Sequence, residues 1–385
     1  MPELILPRPD LTLAPYRLMG DPLPAVAGGV FPRVAYAAAH VVADPLRTAD
    51  PWHRAAIDWD ATLAVREHLW SLGFGVAEAM DTAQRGLGLP WQQAAELIAR
   101  ASAAAHARGA PIACGAGTDQ LNPAAPADLD DVARAYEAQM ALVERHGARI
   151  VLMASRALCR AAGGAEDYLR VYSRLIVQAR APLILHWLGP AFDPALAGYW
   201  GSHDRDAATD TFLALVTDHA SRIDGVKVSL LDAAHERALR SRLPASVRLY
   251  TGDDFNYPAL IEGDGARFSH ALLGIFAAIA PAAALALTRL GAGDVAGYRA
   301  LLAPTVPLSR RIFEAPTQYY KVGIVFLAWL NGFQDHFVML GGLQSARGIV
   351  HHAEVFRLAD RAGLLRDPDL AVARMRALCA ISGLA

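Results

Sequence analysis

Short apolar segments alternate with amphipathic segments through the first two thirds of the chain. The apolar segments are bounded by Gly or Pro, and the stretches between them carry apolar residues at helical spacing. This pattern predicts repeated strand–helix units and a parallel sheet. Eight such units in about 250 residues is the count of a (β/α)8 TIM barrel. The predicted strands are Arg33–Ala39, Gly75–Met80, Pro111–Gly115, Arg149–Ala154, Pro182–Trp187, Asp224–Ser229, Val247–Thr251 and Arg267–Leu272.

Helices are predicted between these strands, and the pattern becomes almost purely helical after Ala280. A doubly wound sheet is the competing fold, but no GxGxxG motif follows the first strand. The predicted helices between strands are Trp59–Leu72, Pro90–Arg108, Leu129–His146, Glu166–Ala179, Ala207–Ala220 and Leu231–Ser241. Those after Ala280 are Pro281–Leu290, Val295–Leu302, Pro307–Phe313, Tyr319–Gly332, Leu343–Ala362 and Pro368–Ile381.

Three regions follow from this pattern. Residues 1–30 are rich in proline and predict an extended arm that wraps the barrel or a neighbouring subunit. Residues 31–290 form the barrel, and residues 291–385 form a C-terminal helical region whose apolar runs suggest a subunit interface.

One uncharged stretch, Ala271–Thr288, reaches the lower length limit of a membrane span. Gly274 and Pro281 interrupt it, and it is rich in Ala rather than Leu. We therefore predict a buried strand, a turn and a helix that begins near Pro281, without membrane association.

Composition narrows the class of protein. Hydrophobic residues make up 54% and charged residues 19%, so a large core is available. The net charge of −2, without a long basic run, argues against nucleic-acid binding. The N-terminus does not show the apolar core of a signal peptide. The three cysteines are far apart in the sequence, which argues against a disulfide scaffold and against a thiolate zinc site. We therefore predict a reduced, cytoplasmic protein. These cysteines are Cys114, Cys159 and Cys379.

Only two of the 36 basic residues other than histidine are lysines, Lys227 and Lys321, and the other 34 are arginines. Lysine can lose its proton and attack a carbonyl, which arginine cannot do. Lys227 lies in the apolar run IDGVKVSLL, where a buried ammonium either pairs with a carboxylate or shifts its pKa down and becomes a nucleophile. A salt-bridged structural lysine is thus the alternative to a catalytic one.

Reactive groups of a (β/α)8 barrel lie at the carboxyl ends of its strands. The polar residues predicted at that end are His40, Glu78, Asp81, Thr82, Asp119, Arg156, His186, Lys227, Ser229, Asp253, Asp254 and His270.

Five segments carry a resemblance to the dihydrodipicolinate synthase and N-acetylneuraminate lyase superfamily of Schiff-base aldolases. The chain is most similar to a divergent bacterial branch known only as a domain of unknown function. The resemblance implies a TIM barrel, a Schiff-base lysine at Lys227, a homo-oligomer (dimer or tetramer), and no catalytic role for Lys321. The segments are Ile57–Gly75, Asp224–Ser229, Leu249–Asp254, His270–Pro281 and Glu314–Gly332.

Departures from the family pattern bear on the substrate. The family's GTTGE loop, which holds a keto-acid carboxylate, falls on residues 81–85, with Thr82 retained and an acid at Asp81. The tyrosine that ends strand five and shuttles protons falls at His186, and the tyrosine near the end of strand four has no match in LMASRAL. Dihydrodipicolinate synthesis itself is therefore not expected. We expect the substrate to be a polyhydroxylated, sugar-derived carbonyl compound.

The predicted chemistry is attack of Lys227 on a ketone or 2-keto acid to give an iminium, followed by making or breaking of a neighbouring C–C bond. His186 is predicted as the acid/base, with an imidazole pKa near neutrality. Thr82 is predicted to orient the donor or relay a proton. No cofactor and no metal are predicted. The residues predicted to bind substrate are Asp81, Glu78, Asp119, Asp253 and Asp254.

Two alternatives remain open. In the first, a divalent metal at the barrel mouth serves a sugar isomerase, epimerase or hydrolase. In the second, the barrel binds a keto-sugar without turnover. His351 and His352 do not form an HExxH motif, and we place them at a surface or interface. The candidate metal ligands are His40, Glu78, Asp119, His186, Asp253 and His270.

Overall fold

The computed structural model describes residues 3–26, 28–52, 55–265 and 267–384. Within these ranges eight parallel strands form a closed barrel, in which each strand pairs with the next along the chain and the last pairs with the first. The predicted (β/α)8 fold is confirmed. The barrel strands are β3 (Ala35–Ala38), β4 (Gly75–Glu78), β5 (Ile112–Ala116), β6 (Arg149–Leu152), β7 (Leu183–Leu188), β8 (Ile223–Ser229), β9 (Arg248–Thr251) and β10 (His270–Leu273).

The helices of the barrel layer lie where the amphipathic segments predict them. Aspartate N-caps at Asp58, Asp128, Asp204 and Asp232 accept backbone N–H groups and fix where four of them begin. Two further helices, α4 and α8, have six residues each and are too short to give a periodic signal. The helices are α1 (Trp59–Ser71), α2 (Trp91–Arg108), α3 (Leu129–Arg145), α4 (Arg156–Ala161), α5 (Ala165–Gln178), α6 (Arg205–Asp218), α7 (Ala233–Arg242) and α8 (Tyr257–Glu262).

The C-terminal region is helical, as predicted. The uncharged stretch after His270 forms β10, a short turn and the helix α9, and no helix in the described part of the chain is long and apolar enough to cross a membrane. Every residue of α12 is buried. The helices are α9 (Ala280–Gly291), α10 (Val295–Leu302), α11 (Thr305–Ile312), α12 (Lys321–Leu330), α13 (Ile349–Arg361) and α14 (Pro368–Ile381).

The N-terminal arm forms a β-hairpin of β1 (Glu3–Pro7) and β2 (Leu13–Arg17) that packs on α13 and α14 of the same chain. Asp360 of α13 accepts hydrogen bonds from the Tyr16 hydroxyl at 2.6 Å and from the Met19 N–H at 2.9 Å. The arm is therefore anchored to the C-terminal helices rather than to the barrel strands. The division of the chain at residues 30 and 290 stays a prediction.

The expectation that His351 and His352 lie at a surface is wrong for the single chain. Both are buried, because α13 turns this face toward the other C-terminal helices. The Nδ1 atom of His351 lies 2.8 Å from Oε1 of Glu314, and the His352 ring packs against Phe326 and Phe337.

Two tyrosines pack among smaller apolar side chains in the barrel interior. Tyr36 of β3 and Tyr250 of β9 pack edge to face, 6.2 Å between ring centroids. Gly225 of β8 makes room for them, since a Cβ atom there would lie 2.5 Å from the Tyr250 ring. The next inward-facing residue of β8 is Lys227. It is two residues closer to the carboxyl end of the strand than Gly225, and the packed tyrosine rings close the barrel beneath it.

A buried ion pair fixes α1 to the end of β4. Arg66 donates from Nε to Oε2 of Glu78 at 2.8 Å and from Nη2 to Oε1 at 2.9 Å, and neither side chain is exposed. Arg66 also donates to the carbonyl groups of His40 and Thr62. This pair holds the loop after β4 to α1.

Replacement of Arg66 by Met leaves the Glu78 carboxylate buried without its partner. We expect a loss of about 3–5 kcal/mol of unfolding free energy, measured by urea denaturation at neutral pH. The double variant Arg66→Met with Glu78→Met should recover most of that loss. The exposed pair Arg108–Glu67 is the control, since Arg108→Met should cost below about 1 kcal/mol. Equal losses at Arg66 and Arg108 would contradict this assignment.

Candidate active site

Lys227 lies on β8 directly beside His186 of β7 and Tyr250 of β9 in the strand register. Its side chain points into the barrel and is 7% exposed. A Cβ atom at Gly252, after β9, would lie 2.9 Å from Cε of Lys227 and 2.1 Å from Oγ of Ser229. The glycine in the sequence TGDD thus gives the lysine chain its space.

No carboxylate of the described residues forms a salt bridge or a hydrogen bond with the Lys227 ammonium. Burial lowers the pKa of Lys227, and the more distant negative charges of Asp81 and Asp254 oppose that shift only in part. Lys227 is therefore not the salt-bridged structural lysine that was the alternative to a catalytic one. A buried amine with a lowered pKa carries a larger neutral, nucleophilic fraction than a surface lysine.

Asp254 is the acid on the Lys227 side of the mouth. Its Oδ1 accepts the backbone N–H of Ile275 at 2.9 Å. Burial raises the pKa of Asp254 to about 7, although the Ile275 hydrogen bond and the charge of Lys227 favour the carboxylate. The carboxyl group therefore changes its protonation state near neutral pH, close to the lysine.

His186 is brought to Lys227 as predicted, but the expected pKa near neutrality is wrong. Burial, together with the positive charge of Lys227, lowers the pKa of His186 well below its ordinary value. Nε2 lies 3.1 Å from Oγ of Ser229, while Nδ1 has no partner among the described residues. His186 is thus a neutral hydrogen-bonding group rather than a proton carrier at neutral pH.

Thr82 lies in a 3-10 turn after β4, across the barrel mouth from β8. Its hydroxyl forms a hydrogen bond of 2.7 Å with the hydroxyl of Tyr320, which immediately precedes α12. Sequence reasoning missed Tyr320 because the segment was assigned to the C-terminal fold. Its position next to Lys321 in QYYKVG was the available signal.

Lys321 also lies at the mouth, although the resemblance implied no role for it. Its side chain is buried, and no salt bridge to it is found within the described ranges. Burial lowers the pKa of Lys321 to about 8, and the charge of Asp81 opposes the shift. Asp81 therefore interacts electrostatically with both lysines of the chain.

Three of the predicted substrate-binding acids are already occupied. Both oxygens of Glu78 bind Arg66. Asp119 accepts from Arg85 at 2.8 Å, and this ion pair lowers the pKa of Asp119 although burial opposes it. Asp253 accepts the backbone N–H groups of residues 255 and 256 and so fixes the turn after β9. The acids that remain in the mouth are Asp81 and Asp254.

The candidate metal ligands are dispersed. His40 Nε2 lies 3.1 Å from Oε1 of Gln334. His270 is the first residue of β10, and its Nδ1 accepts the N–H of Val34, so its predicted place at the carboxyl end is wrong. The strand begins three residues later than expected, which moves His270 to the amino end. Among the described residues, no three His, Cys, Asp or Glu side chains are grouped so that they could hold a metal ion.

A cavity of about 260 Å³ opens over the β4–β7 side of the mouth. Asp81, Thr118, Ser155, Arg156 and Leu188 are on its wall. Lys227 is not on this wall, but the negative charge of Asp81, which is on the wall, acts on Lys227. A smaller void, lined in part by Asp81, Tyr320 and Lys321, continues from it. The volume suits a small polar molecule.

Solved structures of dihydrodipicolinate synthases have the same fold. The enzyme from Aquifex aeolicus is 13% identical, with a TM-score of 0.64 over 86% of this chain and 99% of that one. The chloride-inhibited enzyme from Acinetobacter baumannii, complexed with pyruvate, is 16% identical, with a TM-score of 0.63 over 86% and 99%. The enzyme from Bacteroides thetaiotaomicron is 14% identical, with a TM-score of 0.61 over 85% and 99%. The TIM-barrel fold that the resemblance implied is confirmed.

A family model described as "Protein of unknown function (DUF993)" matches residues 4–384. No protein among those with curated descriptions matches the chain.

The lowered pKa of Lys227 can be measured by competitive acetylation with trace acetic anhydride, because only two lysines compete and peptide mapping resolves them. We expect the acetylation rate of Lys227 to rise with pH and to reach its midpoint below 10.5, since only the neutral amine reacts. In Asp254→Asn the midpoint should fall further, because a negative charge that favours the ammonium is removed. A wild-type midpoint at or above 10.5 contradicts the assignment.

Proposed function

The chain belongs to the family described as Protein of unknown function (DUF993), and we propose that it is a Schiff-base lyase or aldolase with Lys227 as its nucleophile. The observation that carries the proposal is the buried Lys227 amine, which has no salt bridge to any described residue and whose pKa is lowered by burial. An unpaired buried ammonium costs several kcal/mol, which favours the neutral, nucleophilic amine of Lys227.

In the proposed reaction the Lys227 amine attacks the carbonyl carbon of the substrate, and loss of water gives an iminium. The iminium withdraws electrons from the neighbouring carbon, where a C–C bond is made or broken. His186 offers its free Nδ1 as a hydrogen-bonding atom beside the lysine. Asp254 would stabilise the iminium charge, a role supported by the electrostatic interaction of its carboxyl group with Lys227.

We propose a small polyhydroxylated keto acid or ketose as the substrate. The mouth keeps Thr82 but adds the acid Asp81 and the buried amine Lys321. The wall of the 260 Å³ cavity is rich in hydrogen-bonding groups, which suits a compound with several hydroxyls. Pyruvate is a useful first probe, because it is bound in the similar A. baumannii structure.

Cytoplasmic location and assembly into a homodimer or homotetramer are part of the proposal. The cysteines Cys114, Cys159 and Cys379 are unpaired, which fits a reducing compartment.

The metal-dependent alternative finds less support, because its candidate ligands are dispersed and several are held by Arg66, Arg85 and Gln334. The non-catalytic alternative predicts binding without covalent reaction at Lys227.

Borohydride trapping tests the proposal. The protein is incubated separately with pyruvate, dihydroxyacetone and 2-keto-3-deoxygluconate, reduced, and analysed by intact mass and peptide mapping. We expect one stable adduct on Lys227 with at least one of these compounds, and none in Lys227→Arg. Samples without carbonyl compound are the control, and circular dichroism checks that the variant is folded.

An adduct on Lys321 rather than Lys227, or no adduct with any carbonyl compound, would overturn the proposal. In the second case, about one equivalent of bound zinc or manganese in the purified protein would favour the metal-dependent alternative.

A further inference from the structure

The hydroxyl groups of Thr82 and Tyr320 form a buried pair at the barrel mouth. We infer that Tyr320, acting through Thr82, carries the protons that imine formation at Lys227 requires. This inference rests on the proposed function and adds a residue from the C-terminal region to the barrel site.

The pair lies on the side of the mouth opposite the strand that carries Lys227. Thr82 follows β4, which lies opposite β8 in the closed eight-stranded order. The two carboxylates whose charges act on Lys227, Asp81 and Asp254, also act on Tyr320. If a carbonyl compound binds between Lys227 and the hydroxyl pair with its carbonyl carbon at the amine, we expect its carbonyl oxygen to be directed toward the pair.

The Tyr320 ring is held in place on three sides. It stacks on Phe313 with 4.3 Å between ring centroids and 12° between the planes, and it meets Phe192 edge to face at 6.1 Å. Gly274, after β10, closes the third side, since a Cβ atom there would lie 3.0 Å from the ring and 3.4 Å from Oγ1 of Thr82. The hydroxyl is thus oriented before any ligand binds.

The pair has one proton to spare. Each hydroxyl carries one proton, and only one of the two is used in the bond between them. Neither hydroxyl makes another hydrogen bond to the described residues, and Tyr320 lines the smaller void of the mouth. Burial, with the nearby charge of Asp81, raises the pKa of Tyr320 well above its ordinary value, so the group is a neutral phenol.

The proton count of imine formation defines what the pair does. Starting from the ammonium form, Lys227 loses one proton, and its nitrogen lone pair forms the C–N bond while the C=O π electrons move to oxygen. Nitrogen then loses a second proton, the C–O bond breaks, and the lone pair forms the C=N bond. The two protons leave on oxygen as water, and one proton stays on the iminium. The hydroxyl pair passes these protons to oxygen and ends as it began.

The other polar groups near the lysine are less suited to this transfer. The pKa of His186 is well below neutrality, and its Nε2 is directed at Ser229. Asp254 accepts the Ile275 N–H at Oδ1 and, in the proposed reaction, is assigned to the iminium charge, a role that requires it to stay a carboxylate. A hydroxyl pair can accept a proton at one end and release one at the other without becoming charged overall.

The test measures the rate at which pyruvate, dihydroxyacetone and 2-keto-3-deoxygluconate form borohydride-trapped adducts on Lys227. Tyr320→Phe removes only the hydroxyl and keeps the stacked ring, so we expect a roughly 100-fold slower rate. Thr82→Val should be similarly slow, whereas Thr82→Ser should retain most of the rate. Tyr298→Phe is the matched control, because the buried Tyr298 hydroxyl donates to the Pro258 carbonyl at 2.7 Å and is influenced by Glu262 and Arg33 rather than by Asp81 or Asp254. Its rate should equal that of wild type.

A second measurement separates proton transfer from an altered lysine. The acetylation midpoint of Lys227 and the thermal unfolding temperature should stay close to wild type in Tyr320→Phe. If wild type labels Lys227 and Tyr320→Phe labels as fast as Tyr298→Phe, the inference is overturned while the proposed function stands. The inference also falls if the slower rate is matched by a shifted Lys227 midpoint. If wild type does not label at all, both fall.

Discussion

Burial of the Lys227 amine without a salt bridge to any described residue is the constraint on which the site depends. An ammonium in the interior of a barrel costs several kcal/mol unless it is paired or loses its proton. Here Asp81 and Asp254 act on it without ion-pair contact, and Asp254 itself has its pKa raised to about 7 by burial. The site therefore holds an amine and an acid, Lys227 and Asp254, whose charges depend on each other, and such perturbed groups are typical of functional sites.

Arginine side chains pair with several carboxylates at the barrel mouth, which leaves Lys227 without an ion-pair partner in the part of the chain that the structure describes. Arg66, Arg85 and Arg156 bind Glu78, Asp119 and Asp193, and so remove three carboxylates that could otherwise pair with a lysine. The planar guanidinium keeps its proton and suits bidentate pairs such as those of Arg66 and Arg85. The chain thus uses arginine for fixed ion pairs and leaves both lysines without one among the described residues. This division explains physically why a composition with 34 arginines and two lysines was informative.

Periodicity predicted the fold well, because each strand and long helix repeats a burial pattern that the sequence displays directly. The short helices α4 and α8 were not predicted. The start of β10 was predicted three residues too early, which put His270 at the wrong end of the barrel. Within the site, Lys227, His186, Thr82, Asp81 and Asp254 were brought to one mouth. Pairing was not predictable: nothing local in the sequence says that Glu78 faces Arg66 or that Asp119 faces Arg85. Tyr320 was missed for the same reason, since its contact with Thr82 spans 238 residues.

Because the chain contains only two lysines, protein labelled with 15N at lysine Nζ gives two side-chain signals, and Lys227→Arg assigns them. The central claim is tested by adding pyruvate, dihydroxyacetone or 2-keto-3-deoxygluconate and following both signals without reduction. The account predicts that the Lys227 signal moves from the amine to the imine range with at least one compound, while the Lys321 signal stays in the amine range. If both signals stay in the amine range with every compound, or if the Lys321 signal is the one that moves, the account is contradicted.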